Sequence, residues 1–140
     1  MTNVLDDRLA SALRSAGVPF EGDDSGDAQI LVSTGNDRTQ KVYVEAATMA
    51  FGDLELRRLY SAAYMSRDDL PRRAIDFVLA QNRDAPFGAW ATFLDGGELF
   101  LVFEAKLPAV LSPDTLRDVI QFVGQTADDV ESTLSMADNL

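Results

Sequence analysis

The residues of this chain that could do chemistry are mostly carboxylates, and the first group of them is the acidic run at residues 21–27. A calcium-binding EF-hand loop needs acids at alternate positions and a glutamate at the twelfth, and a helix follows it. The twelfth residue is Val32 when counted from Glu21 and Thr34 when counted from Asp23, and a strand pattern follows. We therefore interpret the run as a solvated turn between strands and not as a calcium site.

A second group of carboxylates, Asp128, Asp129 and Glu131, lies outside the apolar stripe of the last predicted helix. Acid–base chemistry by a carboxylate pair needs a cleft that raises the pKa of one member. A sequence does not reveal a cleft, and the simpler expectation is that these three residues lie on the solvated face of the helix.

Two residue types that carry much of protein chemistry are missing, because the chain contains no histidine and no cysteine. Their absence excludes Cys and His nucleophiles, Ser-His triads, disulfides, and metal sites built from thiolate or imidazole. The sequence also lacks the glycine-rich phosphate-binding loops and the GxSxG and SxxK nucleophile patterns. We expect no catalytic residue, no metal and no cofactor.

The charge of the chain is strongly acidic, with 12 basic against 23 acidic residues and a net charge of −11. Nucleic acid would be repelled by such a chain. Residues 57–83 nevertheless hold six arginines and three aspartates, so this segment is +3 and the remainder is −14. The segment is either a helix face with ordinary counter-charges or a contact with a partner or with an unlike surface of a second copy.

The length and hydropathy predict one domain spanning residues 1–140. No apolar run approaches the ~20 residues of a membrane span. The N-terminal residues carry acids where a signal peptide carries lysine or arginine, so we expect a cytoplasmic protein without membrane partners.

The elements that must position these residues begin with a helix over residues 3–16, which Gly17 would cap. Alternating patterns then predict strands at residues 18–21, 28–34 and 40–46, joined as an antiparallel meander. The next segment, residues 54–64, fits a strand or a short helix, and the turn before it favours the strand.

The middle of the chain predicts a helix followed by a hairpin. The helix should begin between residues 66 and 69, hold Pro71 in its first turn and end near Asn82. Gly88 would then let the backbone turn into strands at residues 89–94 and 99–107, with Asp95-Gly96-Gly97 as the hairpin turn. The second of these strands is apolar on both faces, so it is either covered on both sides or in contact with another chain.

The last predicted helix has the clearest start, because Ser112 can cap it, Pro113 suits its first position and Asp114 suits its positive end. Its apolar residues recur in steps of four and three, which fits a coiled coil or a helix lying across a sheet, and the width of the stripe favours the sheet. The predicted fold class is therefore α+β, in the order helix, antiparallel sheet, helix, β-hairpin, long C-terminal helix.

Short motifs fall at the junctions of these elements: Ala16-Gly17-Val18-Pro19-Phe20 before the acidic turn, Ala80-Gln81-Asn82 at the end of the middle helix, Phe87-Gly88 and Leu107-Pro108 around the hairpin, and Ala127-Asp128 in the last helix. With these motifs and this element order, nearly the whole chain resembles the YbjN-like family, described as bacterial sensory transduction regulators. That family shares its fold with type III secretion chaperones of the Tir-chaperone class.

The resemblance implies a non-enzymatic protein. Chaperones of this fold are small, acidic, cytoplasmic homodimers that bind an extended segment of a client protein along apolar patches and sheet edges. The first hypothesis is accordingly a protein-binding module, regulatory or chaperone-like, that forms a homodimer and binds a client or regulated protein through apolar sheet surface. Its expected contact residues are Trp90, Phe100 and Val102, for which burial in an ordinary core is the alternative.

Two further hypotheses stay open. One is a dedicated type III secretion chaperone for a single effector. The other is a small-ligand sensor or a carboxylate-dependent enzyme, which would require a concave site with two acids or several convergent polar groups. Aromatic residues such as Trp90, Phe100 and Phe103 would then be candidates for stacking on a ligand, although core or interface positions are more typical of them.

Overall fold

The computed structural model of the chain describes residues 7–35 and 37–138, with side chains as far as residue 134. Residues 3–6 of the predicted first helix lie outside the described residues. The elements within them are α1 (Asp7–Ser15), β1 (Glu21–Gly22), β2 (Ala28–Gly35), β3 (Arg38–Phe51), β4 (Leu54–Ser66), α2 (Arg72–Asp84), β5 (Ala89–Asp95), β6 (Glu98–Pro108) and α3 (Pro113–Asp138). The predicted α+β class and element order are confirmed.

The described strands form one antiparallel sheet in the order β1-β2-β3-β4-β6-β5. The helices pack on one face of this sheet, which we call the inner face, and the opposite face is the outer face. One edge strand is β1, which has only two residues, and the other edge strand is β5, which has seven. The hairpin of β5 and β6 therefore lies at the margin of the sheet.

The core lies between the inner face and α3. The strands contribute alternate side chains, among them Ile30, Val32, Val42, Val44, Leu59, Leu101 and Phe103. The helix contributes its apolar stripe, Leu116, Ile120, Val123, Ala127 and Val130. The helix approaches the sheet closely at Gly124, where an added Cβ would lie 3.1 Å from the side chain of Val42. The stripe of α3 is thus used for packing on the sheet, as its width predicts.

Two predicted helix caps are confirmed. The amides of Gly17 and Val18 donate to carbonyls in the last turn of α1, which is the Schellman pattern. At the start of α3, the hydroxyl of Ser112 accepts a hydrogen bond from the amide of Thr115 at 3.2 Å. Local sequence chemistry determines both helix ends.

The turn into the hairpin and the turn within it are also confirmed. Gly96 and Gly97 have φ of 59° and 80°, the left-handed pair that a type I′ hairpin turn requires. Gly88 has φ of 79°, and an added Cβ there would lie 2.9 Å from the carbonyl oxygen of Glu104 and from the ring of Phe103. Only glycine fits this position without a shift of the backbone or the ring.

The predicted start of the middle helix at residues 66–69 is wrong, because α2 begins at Arg72. A proline disfavours helical geometry in the residue before it, so Pro71 keeps Leu70 out of the helix. The hydroxyl of Ser66 accepts a hydrogen bond from the amide of Asp68 and forms a turn instead of a helix cap. The helix also ends two residues later than predicted.

Two strands differ from their predicted bounds by more than two residues. The predicted strand at residues 18–21 is wrong, since β1 pairs with β2 only at Glu21 and Gly22. The strand β3 extends beyond its predicted residues 40–46 at both ends, and it bulges between Val44 and Thr48, where it has two residues more than the facing part of β4. The segment at residues 54–64 is a strand, as its preceding turn predicts.

Buried polar groups stabilise the irregular places of the sheet. At the bulge of β3, the guanidinium of Arg57 donates to the carbonyl oxygens of Glu45 and Ala46 at 2.9 and 2.7 Å. At a second irregularity in β4, the side-chain carboxamide of Gln40 donates to the hydroxyl of Ser61 and to the carbonyl of Ala62. Backbone groups that the ladder leaves unpaired are thus satisfied by side chains.

Candidate functional site

The open edge of the sheet at β5 is the first feature that could bind a partner. In an antiparallel pair, successive residues point their backbone N–H and C=O groups alternately toward and away from the neighbouring strand. At Trp90 these groups point away from β6, because the amide donates to the side chain of Asn82 at 2.6 Å. By the same alternation, Thr92 and Leu94 also direct their backbone groups outward, at the free edge.

Asn82 closes one end of this edge. Its carboxamide accepts from the Trp90 amide and donates to the Trp90 carbonyl at 3.4 Å, so it occupies the place of a neighbouring strand. The indole of Trp90 also donates to the side chain of Gln81 at 3.0 Å. The last turns of α2 therefore clamp the beginning of β5, and the part of the edge left for a partner is short.

An apolar groove lies beside this edge, between α2 and the inner face of the hairpin. We call it the edge groove; it has a volume of about 550 Å³ and is lined by Asp69, Leu70, Arg72, Ile75, Val78, Leu79, Trp90, Ala91, Thr92, Leu99 and Leu101. At its margin the side chain of Leu79 is 57% exposed, and that of Leu94 near the hairpin tip is 74% exposed. The floor of the groove is thus buried, whereas apolar side chains at its margin are left uncovered by the described chain.

The helix α2 is only partly packed. Ala74 and Val78 face the core and are buried, whereas Phe77 and Leu79, on opposite sides of the same helix, are exposed. The apolar face of α2 is therefore wider than its contact with the sheet. Phe77 lines a second, smaller depression of about 350 Å³ toward α3.

The outer face carries four aromatic rings that contact one another across four strands, which we call the aromatic ladder: Tyr43, Tyr60, Phe93 and Phe100. The ring centroids of Tyr43 and Tyr60 are 5.2 Å apart and those of Phe93 and Phe100 are 5.1 Å apart, both pairs stacked. Tyr60 and Phe93 meet edge to face at 5.9 Å. No described helix lies over this face, so the ladder is open to solvent.

An ionic group lies next to the ladder. Arg58 on β4 lies between Glu45 on β3 and Glu104 on β6, with N–O distances of 3.4 and 3.3 Å. Burial raises the pKa of Glu45, and the charges of Asp27 and Glu104 add to the rise although Arg58 opposes it. Burial also raises the pKa of Tyr60 to about 12, with Glu45 and Asp27 contributing. This part of the outer face therefore holds two carboxylates around one guanidinium.

The structure places the three predicted contact residues in different environments. Trp90 faces inward and is 6% exposed, packed edge to face against Phe103 at 5.3 Å. Val102 lies on the outer face but is 2% exposed, among the residues that surround Tyr60 and Phe93. Phe100 is half-buried in the ladder. Only Phe100 of the three presents a side chain to solvent, and its contact role stays a prediction.

The structure shows what covers each of the two apolar faces of β6. Its inner face is covered by helices, and its outer face by no element of the described chain. Neighbouring strands bury Val102 there, because β6 lies between β4 and β5. The double apolar pattern thus belongs to a strand that lies next to the edge strand β5. Aromatic rings of the sheet itself partly cover the outer face of this strand.

The residues that sequence reasoning missed are Thr92 and Leu94 at the edge and Asn82 opposite Trp90. Their position depends on which strand ends the sheet, and the order of the strands is not written in local patterns. One signal was present: the sequence Ala80-Gln81-Asn82 places two amides at the end of a helix just before a strand. Such side chains can satisfy backbone groups at an element end.

The two carboxylate groups have structural roles. In the acidic turn, Asp23 accepts from the backbone amides of Ser25 and Asp27, so it orders the turn. The expectation of a solvated Asp128 is wrong, because it is buried and paired with Arg38 at 2.8 Å, which lowers the pKa of Asp128. Among the described residues no cluster of three metal-ligating side chains is present.

Comparisons with known proteins found no counterpart: no family model, no curated protein and no solved structure matches this chain. Over residues 7–35 and 37–138, no helix is both long enough and apolar enough to cross a membrane. The functional argument therefore rests on the site.

Proposed function

We propose that the chain is a non-enzymatic protein-binding module of the cytoplasm, which receives an extended segment of a partner protein along the edge of β5. The observation that carries the proposal is the open edge at Thr92 and Leu94 beside the apolar edge groove. An added strand would hydrogen-bond to the backbone of both residues, and its inward side chains would enter the groove. Main-chain bonds then supply affinity, and the groove supplies selectivity for apolar residues.

The proposal includes the YbjN-like, secretion-chaperone-like assignment. The element order and the junction motifs support it, since a helix, a sheet, a helix, a hairpin and a long helix follow one another in the order expected from the resemblance. A partner bound in extended form is what that assignment implies. No feature of the site favours a dedicated effector chaperone over a regulator.

Homodimerisation is part of the same proposal, because the edge of β5 suits a second copy. Antiparallel pairing of two β5 strands around Phe93 would place Thr92 of each copy opposite Leu94 of the other, clear of the backbone of Trp90 that Asn82 occupies, with no like charges opposed. A second copy and a partner segment would then compete for one edge. Dimerisation would be expected to weaken as the partner is added.

The test uses variants that change the edge without breaking the hairpin. Proline at position 92 removes an N–H that points away from β6, so Thr92→Pro should block strand addition while β5 stays paired. Leu94→Asp places a charge at the mouth of the site. Leu31→Asp is the matched control, because Leu31 is 69% exposed on the far strand β2 and Leu94 is 74% exposed.

The measurement is capture of partners from an extract by the tagged chain, followed by binding of the purified partner and sedimentation of the chain alone. We expect the partner and any dimer to be retained by the wild type and Leu31→Asp, and lost by Thr92→Pro and Leu94→Asp. Circular dichroism checks that each variant is folded. Equal capture by all four folded proteins would contradict the edge as the binding site.

A further inference from the structure

A pocket on the outer face combines the aromatic ladder with the ionic group. This outer pocket has a volume of about 360 Å³ and is lined by Glu45, Arg58, Tyr60, Ala91, Thr92, Phe93, Val102 and Glu104. Its apolar lining comes from Val102 and Ala91 and from the rings of Tyr60 and Phe93. Carboxylates line it as well. It lies on the face of the hairpin opposite to the edge groove.

The charges of the outer pocket do not balance. Two carboxylates, Glu45 and Glu104, face one guanidinium, that of Arg58, and both carboxylates are largely covered, with 24% and 22% of their side chains exposed. The lysines of the outer face, Lys41 and Lys106, do not line the pocket. The lining of the pocket itself therefore carries one more negative than positive side chain, at a place where solvent screening is reduced.

The rings supply a second attraction for a cation. The face of an aromatic ring is electron-rich and attracts an ammonium within about 6 Å of its centroid. Phe93 is 38% exposed and Tyr60 is half-buried, so both line the pocket without filling it. Apolar lining of the pocket suits the methylene chain that carries the ammonium of a lysine.

We propose that the outer pocket binds a lysine side chain of a partner protein. The compact ammonium of lysine would approach the free oxygens of Glu45 and Glu104 beside the guanidinium of Arg58, which makes one contact with each carboxylate, at 3.4 and 3.3 Å. The surrounding surface favours a protein as the source, because Phe100 and the half-exposed Met65 continue the apolar area beyond the pocket. The net charge of −11 also favours a partner with basic side chains.

The test is an NMR titration of the full chain with Nα-acetyl-lysine N-methylamide, which carries one ammonium and no other charge. We expect the backbone amide signals of Ala91, Phe93, Val102 and Glu104 to shift with increasing probe. The Nε-acetylated form of the same probe lacks the charge and should shift none of them. Signals of Leu79 and Leu94, neither of which lines the outer pocket, report on the edge and its groove, so failure here and failure of the edge proposal are separable.

Variants locate the binding. Glu104→Gln should lower the affinity for the probe about fivefold, and Phe93→Leu should lower it about threefold through loss of the cation–π contact. Glu98→Gln is the matched control, since it removes the same charge from the same face of β6 at the hairpin tip and should change binding by less than about twofold. Circular dichroism spectra of the three variants should match that of the wild type.

Three results would overturn the proposal. The first is an absence of shifts at the pocket amides. The second is equal weakening by Glu98→Gln and Glu104→Gln, which would mean attraction by overall charge alone. The third is tighter binding of n-butylamine, which carries the same single ammonium, than of the lysine probe, which would assign the pocket to a free small amine and not to a protein side chain.

Discussion

The two halves of the sheet differ in how completely they are filled. In the half built from β2, β3 and β4, the inner face lies under α1 and α3, and irregular backbone is satisfied by buried polar groups such as Arg57 and Gln40. In the half built from β5 and β6, the thinly packed α2 leaves apolar side chains and strand edge exposed. Both halves thus contribute buried residues to the core, but the uncovered apolar surface and the free strand edge lie in the second half.

The difference shows that apolar pattern alone does not locate a core. Strand β6 is apolar on both faces, yet its inner Phe103 is fully buried while its outer Phe100 is partly open. A residue contributes to folding in proportion to the surface that the chain itself covers. What the chain leaves uncovered is available to a partner.

The largest expected effect comes from two phenylalanines on the two faces of the hairpin. Phe103→Ala should lower the free energy of unfolding by about 3–5 kcal/mol, because it leaves a cavity in a filled core. Phe93→Ala should cost about 1 kcal/mol, because the ring is 38% exposed and can be replaced by solvent. Urea unfolding followed by circular dichroism measures both. Similar losses in the two variants would contradict the proposed division between core and surface.

A smaller effect is expected from two glycines at the ends of strands. Both Gly88→Ala and Gly52→Ala place a side chain at positive φ, which costs about 1–2 kcal/mol. At Gly88 the new Cβ would also lie 2.9 Å from a carbonyl oxygen and a ring, whereas at Gly52 it meets nothing within 4 Å. We therefore expect Gly88→Ala to be the more destabilising by about 1–3 kcal/mol in urea unfolding. Equal losses would show that Phe103 moves aside freely.

The smallest effect is a difference in pH dependence between two glutamates. Hydrogen bonds from Arg8 and Thr48 lower the pKa of Glu55 to about 2 from 4.5. A carboxylate with a lowered folded-state pKa stabilises the fold above pH 4.5, and this contribution is lost as the pH falls toward 2. Burial raises the pKa of Glu45, so its contribution is greatest below pH 4.5 and is lost as the pH rises through its folded-state pKa.

Unfolding free energies measured from pH 2 to pH 7 test these opposite signs. Glu55→Gln should remove part of the loss of stability between pH 4.5 and pH 2. Glu45→Gln should relieve a penalty present at neutral pH, so its stability relative to wild type should rise with pH. Parallel pH profiles for wild type and both variants would contradict the pKa assignments.

Local features were predictable from particular residues. Gly17 and Ser112 cap their helices, Gly96 and Gly97 form the hairpin turn, and Gly88 turns the chain into β5, because each depends on the geometry of a few neighbouring residues. The start of α2 was missed although its signal was local, since Pro71 excludes the residue before it from the helix. The restriction that a proline places on the residue before it predicts the start of α2 correctly, whereas the presence of residues able to cap does not.

The candidate site was not predictable to the same degree. Trp90 and Val102 were chosen as contacts because they are apolar and lie in the hairpin, but neighbouring strands and α2 bury them. The edge at Thr92 and Leu94 exists because β5 pairs on one side only. The outer pocket joins Glu45, Arg58 and Glu104 from three strands, and their proximity follows from register across the sheet.

By itself, therefore, the sequence determined the fold class, the order of elements, the caps and turns, and the exclusion of thiol and imidazole chemistry. These depend on interactions within a few residues or on composition. The three-dimensional fold was needed to show which strand is the edge, which apolar side chains remain exposed and which carboxylates share a cation. Those properties depend on pairings between residues far apart in the chain, and many pairings are compatible with the same local pattern.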